Sequence, residues 1–262
     1  MFTAPDRKVS GKPNRDRSKT LSDHWSQPRL FYNSLSKVEK QFIIDNIRFE
    51  MIVLNPEIQK NMLKQLNKIN HDIAVRVGQA VSLEAPAEDS KYYHHNKTKG
   101  ISIFGQKLPS IATLRVGIIA SSDSQKSLSQ ANAIKDALKD SKTMVTIVAE
   151  KLADGIGKTY SAIDATAFDA LVVTDGSKGL FDSKKNSVFV PLGRPTQMIT
   201  DGFNWAKPVV FLGDGKEAMK AAGISKGRGI YESKDAVTAA RDIEDGLTTF
   251  KFVDRYPLDS QK

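Results

Sequence analysis

Residues 207–223 read KPVVFLGDGKEAMKAAG, and the fold is decided here. Four consecutive apolar residues, Val209 to Leu212, stop at Gly213-Asp214-Gly215, and a helix-prone run from Lys216 to Ala222 follows at once. A short buried strand feeding a tight glycine turn and then a helix is how α/β folds display an active-site residue or cradle a phosphate.

The same grammar recurs outward from this stretch. Leu114–Ala120 (LRVGIIA), Met144–Ala149 (MVTIVA) and Phe168–Thr174 (FDALVVT) read as buried strands. Gln130–Leu138 and Thr196–Trp205 read as helices, Val188–Leu192 as a short strand or extended loop, and Gly229-Ile230-Tyr231 as a final short strand. Ser233 is placed to cap a closing helix with Ala236, Val237, Ala240, Ile243 and Leu247 on one face. Apolar strands alternating with helices mean a parallel sheet covered on both sides. Residues 114–254 therefore read as a flavodoxin-like, doubly wound parallel α/β domain, with 255–262 as a tail.

The chain upstream has a different texture. Residues 1–28 hold Pro5, Pro13 and Pro28 and no apolar period, so they read as an extended arm. Within its first twenty residues Arg7, Lys8, Lys12, Arg15, Arg17 and Lys19 face only Asp6 and Asp16. A basic arm can bind nucleic acid through phosphates, but no aromatic residues interleave with these charges, which argues for an acidic protein surface instead. Residues 29–83 read as a small all-α section. Ser36-Lys37-Val38-Glu39 is a capping box, with Phe42, Ile43, Asn46 and Phe49 on one face behind it. Asn55-Pro56 opens a second helix with Ile58, Met62, Leu66 and Ile69 as its stripe, and Ile73, Val77 and Val81 continue the pattern. Residues 84–113 lose all periodicity and read as a linker. His94-His95 lies in that linker, and no acid or histidine at ligand spacing on a regular element turns the pair into a metal site.

The composition, 40% hydrophobic and 26% charged over 262 residues, is that of a globular chain. It holds no run of about 18 apolar residues, so no membrane span is expected. The N-terminus lacks the apolar stretch of a signal peptide. This favours a cytoplasmic or peroxisomal site over secretion, although the terminal DSQK is no peroxisomal address. With no cysteine there is no disulfide, thiolate zinc site or cysteine nucleophile.

Two resemblances add to this. The run DHWSQPRLFYNSLSKVEKQFIIDNIRFE, residues 23–50, resembles the wrapping segment and C-terminal helices of haem catalases, with His24, Trp25, Ser26, Arg29, Leu30 and Phe31 filling the family's places. LNKINHDIAVRVGQAVSL matches the last helices before the family's linker, and the likeness covers roughly residues 7–83. Large-subunit catalases carry a flavodoxin-like domain after those helices, similar to class I glutamine amidotransferases and intracellular proteases, and the α/β pattern here begins where that architecture implies. The resemblance implies that the distal histidine and asparagine and the haem-ligating tyrosine lie upstream of this region. Arg29 and Tyr32 echo the haem-side Arg-x-x-x-Tyr pair, but at a spacing of three rather than four. The Met1 start is then read as that of a fragment, a split gene or an expressed piece.

In the amidotransferase-like superfamily the glycine turn bears the nucleophile, usually cysteine. Here Gly213 stands in that place and has no side chain to attack with. Asp214 follows, yet no histidine lies beyond His95 to act as base. The expectation is a degenerate elbow at Gly213, Asp214 and Gly215, with no catalytic, cofactor-binding or metal residue in this chain. Gly213-x-Gly215-x-x-Ala218 also satisfies a local dinucleotide fingerprint, with Glu232 about twenty residues on as a ribose-binding acid. That fingerprint normally follows the first strand, where SSDSQKS here holds no glycine.

The reading that follows is the C-terminal portion of a large-subunit haem catalase, whose parent enzyme would dismutate hydrogen peroxide as a haem-bearing homotetramer. This portion would act in assembly, stability or chaperone-like protection. Its expected partners are the haem domain, the sister subunits and unfolded client proteins, met through Trp25, Arg29, Phe31, Phe42 and Phe49. The alternative is a free-standing enzyme of the amidotransferase and protease superfamily, or a nucleotide-binding domain, using the Gly213–Gly215 turn.

Overall fold

A computed structural model of the chain describes residues 6, 8, 10–12, 15–89, 91–102, 104–182 and 193–259. Val188–Leu192, read above as a strand or loop, lies outside the described residues. The chain forms two compact units, residues 1–102 and 103–262.

The first unit is helical. Helices α1 (Ser26–Ser34), α2 (Lys37–Met51), α3 (Pro56–Ile69) and α4 (His71–Ala80) follow a single 3-10 turn over Lys19–Ser22. The extended arm therefore ends sooner than the prolines imply. Pro28 is the third residue of α1, where the amide it lacks has no intrahelical partner to lose. At α2 the capping box forms in full: the Glu39 amide donates to Ser36 Oγ at 3.3 Å, and the Ser36 amide donates to Glu39 at 2.8 Å. Asn55 caps α3 with Pro56 at its first position. Tyr32, Ile44, Met51, Leu63, Leu66, Ile73, Ala74 and Val77 make the core.

Two helical faces differ from the periodicity reading. On α2 the buried line is Gln41, Ile44 and Met51, whereas Phe42 is half-buried and Phe49 is 76% exposed. On α3 it is Gln59, Leu63, Leu66 and Asn67, leaving Ile58 and Met62 exposed. The cause is polar. Gln41 bonds Asp45 at 3.0 Å and also Arg76, while Gln59 Nε2 donates to Met51 O at 2.8 Å. These amides take inward positions that hydrophobicity alone assigns to their neighbours.

The second unit is a six-stranded, all-parallel sheet in the order β3-β2-β1-β4-β5-β6. Its strands are β1 (Arg115–Ile119), β2 (Met144–Ala149), β3 (Lys158–Thr159), β4 (Ala170–Val173), β5 (Val209–Leu212) and β6 (Ile230–Ser233). The two-residue β3 extends one edge, and the remaining five strands follow the flavodoxin-like winding. Successive residues of the buried strands point to opposite faces. Ile118, Val172 and Val210 pack against α5 (Gln125–Ala137) and α8 (Ala236–Thr249). Ile119, Val173 and Phe211 pack against α6 (Arg194–Asn204) and α7 (Glu217–Ala221). The cap of α8 is Asp235, whose side chain accepts the Thr238 amide, not Ser233. Ser233 ends β6 instead, and its hydroxyl donates to Asp242 at 2.5 Å.

Candidate functional site

In an open parallel sheet the place for chemistry is the crevice beyond the carboxyl ends of the strands, where the winding reverses. Here the reversal lies between β1 and β4, and the turn after β5 lies beside it. Strand β1 delivers Ser121 and Ser122, β2 delivers Glu150, β4 delivers Thr174 and Asp175, and β5 delivers Gly213 and Asp214.

The turn after β5 is a tight strand-to-helix turn whose first residue carries no side chain. Gly213 sits at φ +49°, in the left-handed region, and opens a 3-10 turn (Gly213–Lys216) that runs into α7. A Cβ built on Gly213 would overlap the carboxylate of Asp175, and one on Gly215 would press on the Thr174 carbonyl at 2.8 Å. The space above the turn is therefore filled by Asp175. Its carboxylate pairs with Lys126 at 2.6 Å and accepts the Asp214 amide at 3.2 Å. Asp214 answers by accepting the Gly176 amide at 2.6 Å. The two aspartates thus lace the β4 and β5 turns together. The Lys126 bond holds the Asp175 carboxyl below its usual range, so it stays an anion.

The serines beside it are bound into structure as well. Thr174 donates to Ile119 O at 3.0 Å, Ser127 and Thr174 share a hydroxyl bond at 2.6 Å, and the Ser121 amide donates to Ser127 at 2.9 Å. Glu150 accepts the Ser121 hydroxyl at 2.7 Å and the Ser122 amide at 2.6 Å. The four histidines are His24, His71, His94 and His95, so the second unit holds none of its own. A nucleophile needs a base within hydrogen-bond reach. Among the described residues the group in that position is the Glu150 carboxylate, which is already shared between the Ser121 hydroxyl and the amide and hydroxyl of Ser122. Glu232, the candidate ribose-binding acid, is held by Lys216 at 3.0 Å and Lys226 at 2.5 Å. Asp175 also takes a turn amide that a pyrophosphate would need and sets a negative charge in its path. Among the described residues no group of three or more His, Cys, Asp or Glu is placed to hold a metal ion.

In the first unit, Trp25 lies under the Lys68 ammonium at 4.3 Å and donates its indole N–H to Gln65 at 3.3 Å. Arg29 is buried, and its guanidinium closes the end of α3 through Lys68 O at 2.5 Å and Ile69 O at 3.3 Å. Phe31 is 46% exposed, and Phe49, Ile52, Val53, Ile58 and Met62 are also open to solvent. Ile52 and Val53 escaped the sequence reading because they fall in a turn, outside any periodic stripe. Tyr32 is buried, its hydroxyl donates to Asp72 at 3.0 Å, and burial raises its pKa further. A tyrosine so engaged does not fit as a haem ligand, which must be a free phenolate.

Comparison with known proteins follows the two units. The family model described as the C-terminal domain found in long catalases matches residues 112–257. A second, described as catalase-related immune-responsive, matches residues 18–81. Catalase-3 of Neurospora crassa is 48% identical over 263 residues, covering 99% of this chain and 36% of its own length. Catalase B of Emericella nidulans is 44% identical over 270 residues, covering 100% of this chain and 37% of its own length. Catalase-2 of Bacillus subtilis is 26% identical over 239 residues, covering 87% and 33%. The chain thus spans about a third of the length of the relatives it matches.

Proposed function

The chain belongs to the long catalases, whose C-terminal domain it carries, and from that premise we propose that it serves as the non-catalytic, assembly-supporting C-terminal part of a large-subunit haem catalase. The parent enzyme would dismutate hydrogen peroxide as a haem-bearing homotetramer. Haem and its ligands would come from the remainder of the subunit. The observation that carries the non-catalytic role is the filled turn: Gly213 has no side chain, and Asp175 stands where one would go. The same observation disfavours a free-standing amidotransferase-like hydrolase and a dinucleotide site at this turn.

The test is deletion of the matching residues from a long catalase. The shortened enzyme is expected to keep peroxide turnover per haem while losing tetramer on dilution or heating. This chain by itself is expected to consume no peroxide. Peroxide consumption by the isolated chain, or a tetramer unchanged by the deletion, would overturn the reading.

A second role is favoured by one observation, the exposure of five large apolar side chains, Phe49, Ile52, Val53, Ile58 and Met62, within fourteen residues. Exposed apolar surface is where other proteins bind, and a chaperone-like capture of unfolding clients uses the same kind of contact. Suppression of heat aggregation of an unrelated protein at a several-fold excess supports it, and no effect at that excess counts against it.

A further inference from the structure

The helical unit holds a cavity of about 630 Å³ in which Arg29, Ile69, His71, Val75, Glu88 and His94 meet. That volume is in the range of small-molecule sites. Arg29 is 6% exposed, yet among the described residues no carboxylate comes within ion-pair distance of its guanidinium. Two of its donor groups, Nε and Nη2, serve the end carbonyls of α3, and Nη1 makes no hydrogen bond. Nη1 is not sealed away from water, since among the described residues Arg255 Nε is the buried side-chain donor without a partner. Arg29 therefore brings to the cavity it lines an open donor on a cation with no counter-ion, which an oxyanion matches. The carboxylates on the rim do not fill that role. Asp72 accepts Tyr32 and Arg76, and Glu88 is exposed.

His71 adds a second, complementary requirement. Its Nδ1 lies 2.8 Å from Asn67 Oδ1, and Asn67 Nδ2 donates to Ala87 O, which fixes Oδ1 as the acceptor. Nδ1 therefore donates in this bond, and Nε2, which has no partner among the described residues, is left as the ring's acceptor position. Ile69 and Val75 supply apolar wall between these groups.

We propose that this cavity is a binding site for a small hydroxylated carboxylate, with the carboxylate on Arg29 Nη1 and the hydroxyl donating to His71 Nε2. Titration calorimetry of the chain at pH 7.5 with tartrate and with succinate, at matched ionic strength, tests it. Tartrate should bind saturably and succinate several-fold more weakly. Arg29→Gln should weaken tartrate by about tenfold or more, the value of one charged hydrogen bond. His71→Gln, at a half-buried position that leaves the fold intact, should erase the preference for tartrate. Heats no larger than those of sodium chloride, an equal response to the two acids, or full discrimination retained in His71→Gln would each overturn the proposal.

Discussion

The carboxylate of Asp175 occupies the space that any side chain on Gly213 would need. The two residues are 38 positions apart and belong to turns after neighbouring strands. Their contact leaves the strand-to-helix turn closed over by the Asp175–Lys126 ion pair. Substitution at Gly213 therefore meets two costs. A left-handed φ costs an L residue about 1–2 kcal/mol, and overpacking against a fixed neighbour about 1–3 kcal/mol more. Gly213→Ala should lower unfolding stability by the sum of these in urea melts. Adding Asp175→Ala should return the overpacking part and leave the backbone part. A Gly213→Cys variant should show no hydrolase activity, because the carboxylate that faces the turn, Asp175, is held as an anion by Lys126 and the Asp214 amide.

The ion pair of Asp175 with Lys126 carries its own pH signature. Asp175 has its pKa depressed in the fold, so its contribution is present above the unfolded value near 4 and is lost as pH falls through the folded value. Lys126 is raised by Asp175, so its share is present below about 10.5 and is lost at higher pH. The stability difference between wild type and Lys126→Ala should be level from pH 5 to 9 and vanish toward pH 3. Lys126 is 69% exposed, so 1 M salt should shrink that difference to near nothing.

Much of the second unit is legible in sequence, since β2 and β5 are the apolar runs themselves and the glycine turn marks the end of β5. The two-residue β3 is not, because Lys158-Thr159 carries no apolar pattern and forms only by pairing with Val148 and Ala149. Asp175 is equally hidden: nothing local marks it as the partner of a turn 38 residues away. In the helical unit the capping signals are read correctly and the buried faces are not. Inward Gln41 and outward Phe49 reverse the usual correlation, because Gln41 satisfies Arg76 and Asp45 from the inward position while Phe49 is left exposed.

Lys207 is a buried cation with no carboxylate in contact among the described residues. It is 4% exposed and donates to Ala165 O at 2.6 Å and Phe168 O at 2.5 Å. Desolvation, with repulsion from Lys251, lowers its pKa to about 8. Between pH 8 and 10.5 the unfolded chain holds this proton more tightly, so stability from this group rises with pH in that window. The rise is at most about 3 kcal/mol. Tyr231 ionises in the unfolded chain over the same range and opposes it, because burial beside Asp245 raises its folded pKa. Subtracting the Lys207→Met profile isolates the lysine: the difference should climb from pH 8 to 10.5 and be flat below pH 7.

Phe49 and Ile44 lie on the same helix five residues apart and should behave in opposite ways. Ile44 is fully buried, so Ile44→Ala should cost about 2–5 kcal/mol through lost transfer energy and a cavity. Phe49 is 76% exposed and Val53 81% exposed, so Phe49→Ser with Val53→Ser should leave unfolding stability within about 0.5 kcal/mol of wild type. If these exposed side chains are where the remainder of a long catalase docks, the same double variant in the full-length enzyme should lower the tetramer fraction on dilution. Sedimentation of the variant enzyme measures this directly. A tetramer as resistant to dilution as wild type would leave these side chains to client capture alone, and the heat-aggregation assay on the double variant would then decide between capture and no role.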